Sequence, residues 1–304
     1  PEFVSHCEEA AARLVAPHAD DELILGWAMA DIPILTDEEV VTLGSAHPGA
    51  TTWPRVLRNL GPDAPGKQEY VATMKDRHAD MGAFNSAYGT SFAGWDDLAA
   101  AADWRPHTDM SNQTEKDDNM AFMRRCVDRY YSVTRAAVRK YDQNHLFLGD
   151  KLHGNTDQVD SVVDITSRYT DVVLFQVFGR WDFQRELYDR WSALIDNKPL
   201  FNGDHAYALP PNEMMPRSMA PPAASSEAEA AAWTAEYGAG AFARPDFVGW
   251  HICGVTETWK TMPGFESSQK PGLMTPLGER HLKLVGEVED LSRKMYLIHV
   301  GDTP

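Results

Sequence analysis

The chain has 304 residues, 43% of them hydrophobic and 24% charged, an ordinary globular composition long enough for a sizeable core. Its formal net charge of −17 and pI near 5.0 argue against partners that need a basic face, nucleic acid and anionic membrane, but not against a neutral polymer. Cys7, Cys126 and Cys253 lack metal-ligand spacing and read as free, mostly buried thiols. No apolar stretch is long enough to span a membrane. The chain begins at Pro1 rather than Met, so its N-terminus reads as incomplete, and cytoplasm, periplasm and secretion all stay open.

Residues 5–17 read as a helix opened by a capping box, Ser5 with Glu8. An apolar strand follows at 23–28, ending in Met29-Ala-Asp31-Ile-Pro33. Asp31 is a site-like carboxylate at a strand end, with a turn or helix cap as the plain alternative. Residues 40–118 are too long for a simple crossover and read as an inserted helical subdomain. Its aromatics Trp53, Tyr70, Tyr88 and Trp95 either line a groove or hold the insert together.

Residues 117–141 have the periodicity of a long helix. The strand 145–149 leads to Asp150 and Lys151, and the strand 171–178 carries Gln176 late in its run. Helices are expected near 161–169 and over 183–196. The next strand, 199–203, opens into Gly203-Asp204-His205-Ala-Tyr207. After a loop rich in Pro and Met, Ser225-Ser-Glu-Ala-Glu229 caps a helix through Phe242. The last strand, 247–252, contains Trp250 and His251 and leads to Glu257 and Trp259. A helix over 278–295 ends the chain. Five strands alternating with helices predict an α/β protein with a parallel sheet. Chemistry in parallel barrels collects at C-terminal strand ends, where these polar residues lie. Five strands fall short of the eight of a TIM barrel, which predicts that the first βα units are absent. The reading is a single partial barrel domain over 1–304, carrying the insert. Its two exposed sheet edges would need a missing barrel half or self-association to cover them.

Taken together, the strand ends resemble the second half of the barrel of family-fifty β-agarase-type glycoside hydrolases. Leu25-Gly-Trp-Ala-Met-Ala-Asp31-Ile32 is similar to the family's fourth strand, which ends in Asn-Glu. Asn144-His-Leu-Phe-Leu-Gly149 is similar to the fifth. Lys198-Pro-Leu-Phe-Asn-Gly-Asp204 is similar to the seventh, which ends in a nucleophilic Glu. Phe247 through Glu257 is similar to the eighth. The chain departs from the pattern twice: Asp204 stands at the nucleophile, and Ile32 stands at the acid/base Glu, with Asp31 one position earlier.

The resemblance implies hydrolysis of a polysaccharide with agarase-like, β-galactoside-type linkages, using a carboxylate pair and no cofactor. Asp204 is the expected nucleophile or base and Asp31 the acid, with Glu257 in reserve. Asp150, Lys151, Gln176, His205, Tyr207, Trp250, His251 and Trp259 are the expected substrate contacts, with Trp181 as a further stacking platform. Two other functions compete. One is a metal-dependent hydrolase using the Asp/His set, although no His-x-His spacing occurs and no metal is expected. The other is a carbohydrate-binding barrel that has lost its acid, which the Ile32 departure favours.

Overall fold

A computed structural model describes residues 1–32, 36–38, 40, 51–153, 159–195, 198–210, 222–257 and 272–302. The chain forms two compact units. The first comprises Pro1–Asp21, Ile32–Asn144 and Thr156–Tyr169, and the second comprises Glu22–Asp31, His145–Asn155 and Thr170–Pro304.

The first unit is helical. Helix α1 spans Glu2–Leu14, so Ser5 lies inside it rather than at its cap. Glu2-Phe3-Val4 can all adopt helical backbone, and Phe3 stacks on Tyr130 with ring centroids 5.7 Å apart, which draws the helix start back beyond the capping box. The insert is built of α2 (Trp53–Arg58), α3 (Pro65–Arg77), α4 (Met81–Tyr88) and α5 (Trp95–Ala100). The long helix α6 (Gln113–Arg139) begins at Asn112, whose side chain accepts from the Glu115 N–H. A short α7 (Val163–Tyr169) is tied to α6 by the two-pronged pair Arg124–Asp164, at 2.8 and 2.9 Å. Tyr70, Tyr88, Phe84 and Phe122 form a buried core with Trp95 packed against it, and Trp53 lies against Tyr130. The insert's aromatics therefore hold it together.

Charge is buried in this unit in a satisfied form. Arg58 is fully buried and donates to Glu115 (3.1 Å), Asn119 (2.9 Å) and twice to the Arg105 carbonyl. The Lys67 ammonium donates to the carbonyls of Arg58 and Ala101, both at 2.7 Å, so one cation satisfies carbonyls at the ends of α2 and α5. Burial, together with the nearby Arg58 charge, pushes the Lys67 pKa down to about 8. Glu115→Ala would strand Arg58 without its counter-charge, a loss expected to cost about 3–5 kcal/mol. Urea unfolding of the variant beside the parent checks this, and a loss below about 1 kcal/mol would contradict it.

The second unit holds a parallel sheet in the order β1 (Gly26–Asp31), β2 (Leu146–His153), β3 (Val173–Gln176), β4 (Leu200–His205), β5 (Phe247–Ile252). The expected strands are all present. Three run further than expected, however: β1 reaches Asp31, β2 includes Asp150 and Lys151, and β4 includes Asp204 and His205. Helices α8 (Trp181–Leu194), α9 (Glu227–Phe242) and α10 (Leu282–His299) complete the unit. Ser226 caps α9, accepting from the Glu229 N–H, while Ser225 donates to the Glu229 carboxylate at 2.6 Å.

Alternation divides the side chains between the two faces of this sheet. Toward α8 and α9 point Phe175, stacked on Trp191 at 3.9 Å, and Phe247, packed on Tyr188 and Phe242. The opposite face carries Leu148, Leu174 and Phe201. Two breaks in this regularity position the site. Asp31 pairs with Lys151 across the β1–β2 ladder after a register slip, near Gly149 with φ +71°, a conformation that suits glycine. On β4, Asn202 pairs with Trp250 and His205 with Ile252, so three steps on one strand match two on the other.

Candidate active site

The slip on β4 sorts four consecutive residues by face. Asn202 and His205 both turn toward the helices, although strict alternation would separate residues three apart. Gly203 and Asp204 turn to the other face. A Cβ on Gly203 would lie 2.6 Å from Leu174 Cδ1 and 3.1 Å from Lys151 Cγ, so a larger residue would push Leu174 aside and crowd the Lys151 stem. Asn202 secures the bend from behind. It is fully buried, and its Oδ1 accepts from the N–H groups of Val177 and Asp204, both at 3.3 Å. Its amide nitrogen lies 3.0–3.1 Å from the Tyr188 hydroxyl, Gln184 Oε1 and the Val177 carbonyl.

On the open side, Lys151 joins two of the expected catalytic residues. Its Nζ lies 2.9 Å from Asp31 Oδ1 and 3.0 Å from Asp204 Oδ2. Two oxygens this close to one nitrogen are at most about 6 Å apart, the scale on which carboxylate pairs work across a glycosidic bond. Asp204 is buried (8% exposed), whereas the Asp31 side chain is half exposed. Burial alone would lower the Lys151 pKa, but the hydrogen bonds to Asp31 and Asp204 outweigh it and hold the ammonium above the ordinary lysine value. Cys253, just past β5, lies beside Asp204, and its N–H donates to the His205 carbonyl at 2.9 Å. Burial, aided by the Asp204 charge, pushes this thiol up to about 12, so it stays protonated.

The other expected site residues are placed differently. Asp150 alternates away from Lys151, is fully buried, and its Oδ1 accepts from the Ala30 N–H at 3.2 Å, tying β2 to β1. His205 faces the helices, stacked on Tyr237 at 3.8 Å with its Nδ1 3.2 Å from Gln184 Nε2. The slip leaves Asp204 on the open face and His205 on the helix face, so the two do not share one cleft. Burial drives the His205 pKa down to about 3. Tyr207 is buried edge-on to His205 and against Trp233. Trp250 packs among His205, Tyr237 and Phe242, and Trp181 packs on Tyr188 and Tyr237, so both indoles serve the core. His251 alternates away from Trp250 and is exposed, and Gln176 is half-buried at the end of β3. Glu257 is buried with its Oε1 3.3 Å from His281 Nε2. Ile32 is buried, with 2% exposure. Trp259 lies outside the described residues. Among the described residues, no group of three or more His, Cys, Asp or Glu side chains could hold a metal ion, and no helix is long and apolar enough to cross a membrane.

No protein-family model matches this chain. Beta-agarase B of Vibrio sp. (strain JT0107) is 22% identical over 208 residues, which are 67% of this chain and 20% of that protein. An exo-beta-agarase structure is similar over 99% of this chain and 39% of its own, with TM-score 0.76 and 20% identity. PfGH50B is similar over 98% of this chain and 42% of its own, with TM-score 0.77 and 18% identity. This chain thus spans about a fifth of the curated relative and about two fifths of the solved structures. At these identities the superpositions bear on fold, and the mixed α/β arrangement around parallel strands is common to all of them. The resemblance to β-agarases first seen at the strand ends therefore holds across most of the chain, in sequence and in fold.

Proposed function

We propose that this chain is the second half of a TIM-type barrel, strands four to eight, from a glycoside hydrolase that cleaves an agarose-like polysaccharide at β-galactoside-type linkages. The observation that carries the reading is the shared ammonium: Asp31 and Asp204 both lie within 3.0 Å of Lys151 Nζ. In this mechanism Asp204 attacks the anomeric carbon, and Asp31 handles the proton of the water that later releases the sugar. A separation of about 6 Å or less supports retention, since inverting pairs stand further apart to admit water. Lys151 fixes the Asp204 carboxylate and Asn202 its backbone before substrate arrives, the preorganisation that makes such groups effective. His251 and Gln176 remain as candidate contacts to sugar hydroxyls.

Incubating the 304-residue protein with agarose oligosaccharides and following new reducing ends by chromatography tests the proposal. Expected are shorter products whose new end first appears as the β-anomer. A second reading, a binding barrel without turnover, is favoured by one observation: the residue at the family's acid/base position is a buried isoleucine. Saturable oligosaccharide binding with no new reducing ends would select that reading.

A further inference from the structure

The arrangement around Lys151 raises the question of what donates to the departing oxygen. A carboxyl group that protonates a leaving group must carry a proton and reach the bond. Among the described residues, each expected acid is engaged otherwise. Asp31 and Asp204 face an ammonium as acceptors, Asp150 is buried against the Ala30 N–H, and Glu257 stands beside His281. The Lys151 ammonium has three N–H donors in all. Asp31 and Asp204 take two of them, and the Lys151 side chain keeps 26% of its surface exposed on the open side of the pair. That leaves the third N–H for a substrate oxygen that arrives on the exposed side.

We propose that Lys151 is the leaving-group partner of this site: it holds Asp31 and Asp204 as an acceptor pair and gives its third N–H to the glycosidic oxygen. The inference rests on the glycosidase reading and narrows its substrate class. A hydrogen bond from an ammonium stabilises charge on the departing oxygen but transfers a proton to it poorly. The site therefore favours glycosides whose leaving oxygen carries negative charge well. In the first step the C1–O bond breaks, its electron pair departs with the leaving oxygen as an oxyanion that the Lys151 ammonium stabilises and that takes its proton from solvent on release, and Asp204 forms an ester to C1. In the second step water adds to C1, its proton passes to Asp31 and on to solvent, and Asp204 leaves as a carboxylate.

The test measures kcat/KM of the 304-residue protein on 2,4-dinitrophenyl, 4-nitrophenyl and phenyl β-D-galactopyranoside, whose leaving phenolates are increasingly basic. A fall of about 100-fold or more from the first to the last is expected. Lys151→Met should lower the phenyl substrate at least about 10-fold more than the dinitrophenyl one, because the poorer leaving group depends more on the donor. A dependence shallower than about 10-fold in the parent would overturn the proposal, since a carboxyl proton would then be reaching the oxygen. An equal loss on all three substrates in Lys151→Met would also overturn it, leaving Lys151 a merely structural role. If Lys151→Met does not fold, the parent series and Lys151→Arg carry the same comparison. Absence of turnover on even the dinitrophenyl substrate removes the glycosidase reading itself, and this inference with it.

Discussion

Asp204→Asn is expected to lower hydrolysis of agarose oligosaccharides by three orders of magnitude or more while leaving the fold in place. The amide keeps the size of the side chain but is a far weaker nucleophile toward an anomeric carbon. Lys151 keeps Asp31 at 2.9 Å, so no buried cation is orphaned, and the melting temperature should stay within a few degrees of the parent. The backbone of residue 204 is held independently by Asn202, whose Oδ1 accepts its N–H. Activity and stability are thus separable at this position, and paired rate and melting measurements read both. A variant with parental activity would exclude Asp204 as the nucleophile.

The second large effect concerns stability below neutral pH. His205 is neutral in the fold, its pKa pushed down by burial to about 3, against an ordinary value of 6.5. Between these two values the unfolded chain binds a proton that the folded chain does not, so stability rises with pH across that window. The contribution is fully present above pH 6.5 and is lost as pH falls toward 3, at about 1.4 kcal/mol per pH unit and about 4–5 kcal/mol in all. Denaturation midpoints measured from pH 7 to pH 4 should show this slope. His205→Phe should flatten it while costing stability at pH 7, because Gln184 loses the ring nitrogen it reaches at 3.2 Å. An unchanged slope in that variant would assign acid sensitivity to other groups.

Much of this architecture was legible because strand cores advertise themselves. All five strands lie where short apolar runs stand between helical stretches, and β5 matches its expected bounds of 247–252. The end of each strand was less legible, since polar residues such as Asp150, Lys151, Asp204 and His205 continue the ladder once a neighbouring strand offers partners. Tertiary pairing outweighs local composition there. The carboxylates Asp31 and Asp204 could be read as site residues from their positions. Which of their neighbours share their face could not be read, because one extra residue on β4 changes the parity of all that follows. That slip sends His205 into the helix layer. Trp250 goes there through a second slip, since Leu200 pairs with Phe247 but Phe201 with Gly249, one step on β4 against two on β5. Lys151 stood out as a residue at the working end, but its bridging role depends on strands far apart in sequence. Asn202 and Cys253 carried no signal in the chain: an Asn in an apolar run and a Cys beside one look like core until their partners are known. Ser5 with Glu8 had the spacing of a capping box, but aromatic packing on Phe3 moved the helix start upstream.

The odd count on β4 also limits how this protein can change. Substitutions at Gly203 or Asp204 alter one side chain, and their cost stays local. Were the slip between Asn202 and His205 flattened at the strand's present length, strict alternation would turn Asp204 and His205 each to the other face. A carboxylate would then be delivered into the layer where Tyr188 and Tyr237 meet, and an imidazole to the open face. For this segment, the irregularity of the ladder is the trait under tightest constraint, because it decides which surroundings the carboxylate and the imidazole each meet.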